Sequence, residues 1–488
     1  VCKQLGWKIA TPVFDGASEK DIRELLEENH FVNPKGEVFD ADMYESAEGY
    51  EDALYGIYAQ LGTSDYLYKN YLHWLPEVLA VNVQTTDDGL QSMSYAVWNK
   101  LSATQIRKGI WANSYKIINQ LNNIIQHIEK GGDDEFRHTP LYKGEALALR
   151  ALIHFELLRL YGAPIWAPDS EKARAIPYVT QYSFDITKFS SLDEAYELIL
   201  KDLKEAEKYL AEDETLVGET RTNSRSGGFT ACRIIHMNLY AVEALIARVY
   251  WSRNDLANAA IYAKKVIDSK KFGMRSVEAF NQPDNGTLDL RETIFGIYSK
   301  KYEEENARMY GLTGSSASST FQLTDYRKLY ETNEGATSTD YRFTAWFDDG
   351  QQLLDKFVNP IYYSAEGSTY TGKSILGNNI LRIPEMYYIM AESLLASDPG
   401  KATEYFNVVI SSRGLEPLEG INVTEEMLFN ERRKEFFGEG FLWHDMKRLG
   451  KDIEVSAGNT LSGSDVSTYK IPYPIGEDET RDELNSNK

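Results

Sequence analysis

Apolar residues recur at intervals of three and four along most of this chain, the period of a helix with one buried face. The pattern begins after Ser46, where Tyr50, Leu54, Ile57 and Leu61 share a face. Ser46 offers an N-cap hydroxyl and Gly62 a stop, so the spacing predicts a helix over 46–61. A longer helix is predicted from about Thr104 to Lys130, ending at Gly131-Gly132, on the stripe Ile110, Tyr115, Ile118, Leu121, Ile125 and Ile128. The next, Lys143 to Tyr161, places Ala146, Leu149, Ile153, Leu157 and Leu160 on one face and Leu147, Ala151 and Leu158 on another, so burial on more than one side is expected. A fourth runs from Ser191 to Ala211 on Ala195, Ile199, Leu203, Ala206 and Leu210.

Two later segments read as helical hairpins. Tyr240 to Phe272 carries Ala244, Ala247 and Tyr250, a turn at Asn254-Asp255, then Ala259, Ala263 and Val266. Pro384 to Arg413 repeats the plan, with Met390, Ala391 and Leu395, a turn at Asp398-Pro399-Gly400, then Ala402, Phe406 and Val409. Arms of similar length with small residues where they must approach closely are the signature of tetratricopeptide-like repeats, although ordinary helix pairs of an α-domain explain the same residues. Between the hairpins, about 273–380 lacks helical period and is rich in Gly, Ser, Thr and Tyr, which predicts a loop-rich, partly β insertion. After the second hairpin, Asn430 to Gly450 packs charge and aromatics densely. Phe429, Arg433, Phe436, Phe437 and Gly440 fall at helical spacing, with Arg432, Lys434, Glu435 and Glu439 expected to flank the aromatic face. A short helix from Trp443 to Leu449 follows the Gly438/Gly440 interruption, with Gly450 as its C-cap.

Composition narrows the function. The chain has 488 residues, 42% hydrophobic and 26% charged, enough for a large core. A formal net charge of −22 argues against a nucleic-acid groove, which needs clustered Lys and Arg. The 32 Tyr and 8 Trp hint at ligand stacking, because Tyr tolerates half exposure. The two cysteines, Cys2 and Cys232, are too far apart in sequence to suggest a disulfide framework or zinc site, and Cys232 is expected to be a buried apolar residue. Gly367 to Ser374 formally fits a phosphate loop, but Gly377, Asn378, Asn379 and Pro384 interrupt the helix such a loop must open into. Asp87-Asp88 and Asp348-Asp349 are read as solvated loops rather than a glycosidase pair, whose carboxyls flank a bond rather than sit side by side in sequence. His444 beside Asp445 is read as packing at a helix junction. No cofactor or metal site is expected.

Several blocks together resemble the SusD/RagB family of outer-membrane glycan-binding lipoproteins. They are Asn33 to Phe39 with Ser46 to Tyr58; Gly144 to Pro164; Arg382 to Glu392; Glu431 to Phe436 with Gly440 to Gly450; and Tyr469 to Ile475, in family order over nearly the whole chain. The resemblance implies a mainly α fold, an α-α superhelix of tetratricopeptide-like helix pairs with a loop-rich, partly β ligand-binding portion. It implies one SusD-like domain over 1–488, with the scaffold at about 46–272 and 382–450 and the insertion at about 273–380. It also implies a non-catalytic cell-surface binder of oligosaccharide or polysaccharide, held at the outer membrane by a lipid on Cys2, that delivers its ligand to a SusC-like TonB-dependent transporter. Two features depart from the family: Cys2 lies well before Pro34, and Val1 precedes it, whereas signal peptidase II leaves cysteine first.

Sugar rings present apolar C–H faces ringed by hydroxyls, so a binder needs aromatic platforms beside amides or carboxylates, set on loops of a rigid frame. The candidates are Tyr71 and Trp74 after the first helix, with Tyr66 and Tyr68 nearby; Asp87, Asp88 and Trp98 in the segment from Thr85; and Tyr298, Tyr302, Tyr310 and Trp346 in the insertion. The rival readings are a glycoside hydrolase of all-helical type and a repeat scaffold that binds peptides.

Overall fold

The computed structural model describes residues 43–63, 72–218, 228–281, 288–299, 305–306, 309–310, 321–332, 338–358, 375–474 and 476–477. The chain divides into two compact units, Val1–Tyr50 and Glu51–Lys488. In the first, the described residues open helix α1 (Ala47–Leu61), and the Ser46 hydroxyl accepts from the Gly49 amide as an N-cap should. The rest of the description concerns the second unit.

Three short elements come first: α2 (Trp74–Leu79), β1 (Val83–Thr85) and α3 (Asp88–Ser94). The long helices then stack in sequence. α4 (Leu101–Gly131) lies along α5 (Thr139–Tyr161), α5 along α6 (Leu192–Tyr209), α6 against α7 (Leu239–Ser252), and α7 along α8 (Leu256–Asp268). α8 then packs on α9 (Ile383–Leu394) and α9 on α10 (Pro399–Ser412), so the two hairpins are neighbours although the insertion separates them in sequence. This is the tetratricopeptide-like helical fold that the family resemblance implied and the period allowed.

Local chemistry explains the helix ends. Ser191 and Glu194 form a reciprocal capping box at the start of α6. Asp255 and Asp398, read from the sequence as turn residues, are the N-caps of α8 and α10. Each such cap is worth about 1 kcal/mol. α5 starts earlier than its apolar stripe, because Pro140 is tolerated in the first turn, where its missing amide has no partner to lose. Nearly all of α5 is buried, as its two-sided pattern predicted. Gly144 makes that possible: a Cβ there would stand 2.6 Å from Leu210 Cγ of the segment that ends α6.

The strands among the described residues form two-stranded antiparallel ribbons. These pair β1 with β5 (Phe321–Leu323), β2 (Arg174–Pro177) with β3 (Phe189–Ser191), and β4 (Thr293–Tyr298) with β8 (Gly377–Arg382). β6 (Phe347–Asp348) pairs with β7 (Leu353–Leu354), and β9 (Ile453–Ser456) with β10 (Asn459–Leu461). β4 to β8 all start within the stretch expected to be loop-rich and partly β. Cys232 departs from expectation. It is half-buried at a turn with φ +51° and packs against the edge of the Ile234, Leu288 and Ile375 cluster instead of lying fully inside it.

The Asn430 to Gly450 block departs more instructively. α11 (Glu425–Glu435) ends before the Gly438/Gly440 interruption, and α12 (Leu442–Leu449) closes on Gly450 in a left-handed C-cap, φ +64°. The charges expected to flank the aromatic face are instead interior: Arg432, Lys434 and Glu435 are buried, and Glu439 is half-buried with only 7% of its side chain exposed. They are tolerated because distant segments supply opposite charge. Glu435 accepts from Arg382 Nη1 at 2.7 Å, from Arg413 Nη2 at 2.8 Å and from Arg342 Nη1 at 3.3 Å. Burial pushes this carboxyl up, but Arg413 and Arg382 overcome that and hold it well below the ordinary carboxylate range. Glu439 takes Arg382 and Lys356, and Glu292 takes Arg382 and Arg413. In a second cluster, Glu392 and Asp445 neutralise Arg432 and Arg448 around Trp251. Asp445 is thus an ion-pair partner in the core, as packing at a junction requires. Unpaired, any one of these charges would cost several kcal/mol to bury.

Candidate functional site

The β1–β5 ribbon and α3 enclose a groove of about 130 Å³. Val83-Gln84-Thr85 alternates buried, exposed, buried, and Gln84 lies directly across from Gln322 in the ribbon. Two amides therefore stand side by side on the outer face. Thr85, Thr86, Gln91 and Ser94 add hydroxyl and amide groups from the α3 side, and Tyr95 contributes a ring that is 39% exposed. Just beyond it, Val97 and Leu101 are also exposed, and Trp98 is half-buried. Neutral hydrogen-bonding groups here sit beside an aromatic and aliphatic surface.

Each wall is held by a local device. Asp87 N-caps α3, accepting from Gly89 and Leu90 amides at 3.1 and 3.0 Å, while the Gln91 amide donates to Thr85 O at 3.1 Å. Asp88, exposed at the rim, pairs with Lys100 and accepts from Ser102 Oγ at 2.7 Å; those hydrogen bonds hold its carboxyl below its usual range. The Trp98 carbonyl accepts from Arg107 Nη2 at 2.9 Å, and the same guanidinium donates to Pro472 and Tyr473 carbonyls.

Beneath the ribbon lies an aromatic cluster. Phe321 of β5, buried opposite Thr85, meets Trp74 edge-on at 5.5 Å and Tyr310 at 5.4 Å. Trp74 and Tyr310 are each only 1% exposed, and Trp74 Nε1 donates to Asn306 at 3.3 Å. The groove's root is tied further down. Thr324 N donates to Asn82 O, Asn82 Nδ2 to Glu77 at 2.8 Å, the Gly440 amide to the same carboxylate at 2.8 Å, and Arg433 Nε to Asn82 Oδ1 at 3.2 Å. The charged aromatic block thus anchors the ribbon that carries the groove.

Of the nominated residues, none lines this groove directly: Asp87 caps and Asp88 opens α3, which forms one wall, and Trp98 follows Tyr95 by three residues. Trp74 and Tyr310 support it from below with no open ring face. Trp346 is buried elsewhere, 3% exposed, with Lys356 Nζ 4.0 Å over its ring. Tyr298, half-buried at the end of β4, packs on the cluster of Ile234, Leu288 and Ile375. Tyr66, Tyr68, Tyr71, Tyr302, the Gly367 to Ser374 motif and Cys2 lie outside the described residues. Sequence reasoning missed Gln84, Gln322 and Tyr95. The alternation at Gln84 signalled an outward amide, but its partner is far away in sequence. Asp349 is occupied by Tyr326 and Arg327, and Asp348 by Gln351. No described helix is long and apolar enough to cross a membrane.

Two family models match in tandem: one described as starch-binding associating with outer membrane, over 56–250, and the SusD family model, over 275–487. A SusD-like protein, P38, of Formosa agariphila is 26% identical over 467 residues, 87% of this chain and 88% of that protein. A SusD superfamily protein of Bacteroides thetaiotaomicron shares the fold at a TM-score of 0.71 and 21% identity, covering 90% of this chain and 98% of that one. The surface glycan-binding protein A of Bacteroides thetaiotaomicron, solved with laminarihexaose, does so at a TM-score of 0.61 and 17% identity, covering 91% and 98%. With the helix-pair frame in place and the two models together matching 56–250 and 275–487 of it, the chain belongs to the SusD family.

Proposed function

We propose that this chain binds oligosaccharide or polysaccharide at the cell surface, without cleaving it, and passes it to a partner TonB-dependent transporter of the outer membrane. The observation that carries this reading is the groove of Gln84, Gln322, Gln91 and Tyr95 on the frame of a glycan-binding family. Tyr95 supplies a ring for an apolar sugar face, and the facing amides each offer both a donor and an acceptor, matching hydroxyls that do both. The rim carboxylates support binding rather than hydrolysis, since Asp87 is spent on a helix cap and Asp88 on Lys100. Surface attachment through Cys2 belongs to the same reading; an unmodified Cys2 in mass spectra of the native protein would reject it.

Calorimetry of the full chain against a panel of soluble polysaccharides tests the proposal. Saturable binding of at least one glycan is expected, with Tyr95→Ala and Gln322→Ala each weakening it by about tenfold, the equivalent of 1.4 kcal/mol, while thermal unfolding stays unchanged. If no glycan binds, the reading falls. Release of reducing ends by purified protein would replace it with a hydrolase. Recovery of the chain from native membranes without a TonB-dependent transporter would remove the delivery step.

A further inference from the structure

A second site lies away from the groove, where α12 meets the segment after α5. A crevice of about 30 Å³, room for one water molecule or a monatomic ion, is lined by Arg159, Tyr196, Ser252, His444, Lys447 and Arg448 among apolar neighbours. Every polar side chain in that set can donate a hydrogen bond, and none is a carboxylate. Three of their buried nitrogens have no partner among the described residues: Arg159 Nε, His444 Nδ1 and Arg448 Nε. His444 and Arg448 are more than nine-tenths buried. Unmatched polar nitrogens at this depth each cost about 1–3 kcal/mol, so three around one crevice need a common explanation.

The charge balance points the same way. Arg159 is paired with Glu156, and Arg448 with Glu392 and Asp445. Lys447 is different. Its ammonium donates to the Arg159 and Gly162 carbonyls at 2.6 and 2.7 Å, leaving a third N–H untaken, and no described carboxylate lies against it. Burial, with Lys470 and Arg159 nearby, pushes this amine well below the ordinary lysine range, and burial, with Arg159 and Lys447, lowers the His444 imidazole. Without a counter-charge the ammonium form is disfavoured here, and a small anion beside it would restore that charge.

We propose that this crevice is a structural site for a halide-sized anion, chloride in its natural setting, bound by Lys447, His444 and the Arg159 and Arg448 Nε–H groups, with the Tyr196 and Ser252 hydroxyls completing the donors. Such an ion would lock α12 to the end of α5.

The experiment uses the full chain. Thermal unfolding is measured in sodium chloride, bromide and gluconate at fixed ionic strength, and crystals grown in bromide are examined by anomalous diffraction. A saturable rise in melting temperature with chloride or bromide over gluconate is expected, together with a bromide peak between Lys447 and His444. Lys447→Met should abolish the halide response. If that variant does not fold, Ser252→Ala and Tyr196→Phe should raise the half-saturating halide concentration several-fold. Superimposable melts in the three salts, or an anomalous-silent ordered water in the crevice, would overturn the proposal.

Discussion

His154 on α5 gives the sharpest test of how this core is held. Its ring is fully buried and stacked on Tyr178 at 4.0 Å. Nδ1 lies 2.9 Å from the Arg150 carbonyl, and Nε2 accepts from the Val179 amide at 3.0 Å. One nitrogen thus donates and the other accepts, which is the neutral imidazole fully used; a second proton would face an N–H. Burial lowers its pKa to about 3, with the Arg150 guanidinium adding to the effect. The unfolded chain titrates this ring near 6.5, so between about 6.5 and 3 the unfolded state binds the extra proton and stability falls as pH falls. At pH 5 that is about 1.5 pH units below the unfolded value, or about 2 kcal/mol lost relative to pH 7.5. We predict that urea unfolding of His154→Gln shows a deficit at pH 7.5, from the lost bonds and packing, which narrows by about 2 kcal/mol at pH 5 because the variant no longer carries the proton penalty. Parallel pH profiles for the two proteins would refute the assignment of that penalty to His154.

Three other perturbations probe the frame and the groove. Glu435→Gln should cost about 3–5 kcal/mol by urea denaturation, since Arg382 and Arg413 keep their charges and lose a shared partner; a loss under about 1 kcal/mol would show that the network does not depend on it. Because Glu431, Glu435 and Glu439 are all held below the ordinary carboxylate range, their contribution is present above about pH 4.3 and is lost as pH falls further, so wild-type acid unfolding should steepen there and that of Glu435→Gln less so. Gly440→Ala should yield no soluble folded protein, as Gly440 has φ +71° and a Cβ would meet the Leu72 carbonyl oxygen at 1.9 Å; a normal melting curve would contradict the close approach. Trp74→Ala should lose about 3–5 kcal/mol, whereas Tyr95→Ala stays within about 0.5 kcal/mol of wild type, and equal melting temperatures for the two would undo the division into buried support and open ring.

What could be read in advance followed from whether the decisive contacts were local. Helix stripes, the start of α6 at Ser191, the turn at Asp398 and the Gly450 stop depend on residues within one or two turns, and each appears where period and turn chemistry put it. The groove depends on register. Gln84 meets Gln322 only because β1 pairs with β5 across a long stretch of chain, and no local pattern encodes that pairing. Aromatic content misdirected the search for the same reason: Trp74, Tyr310 and Trp346 look like platforms in sequence, yet a ring's role depends on what covers it, and here distant segments do. The charges of Asn430 to Gly450 look like a solvated flank until Arg342, Arg382 and Arg413 arrive from elsewhere. The last helix junction and the ribbon of the proposed groove are joined by one short relay. Arg433 and the Gly440 amide reach the ribbon through Asn82 and Glu77, so disturbing that relay should shift Gln84 against Gln322 without touching any ligand. A variant such as Asn82→Ala that folds but binds glycan weakly would be reporting a displaced groove, and only a structure of its ribbon would separate that from a lost contact.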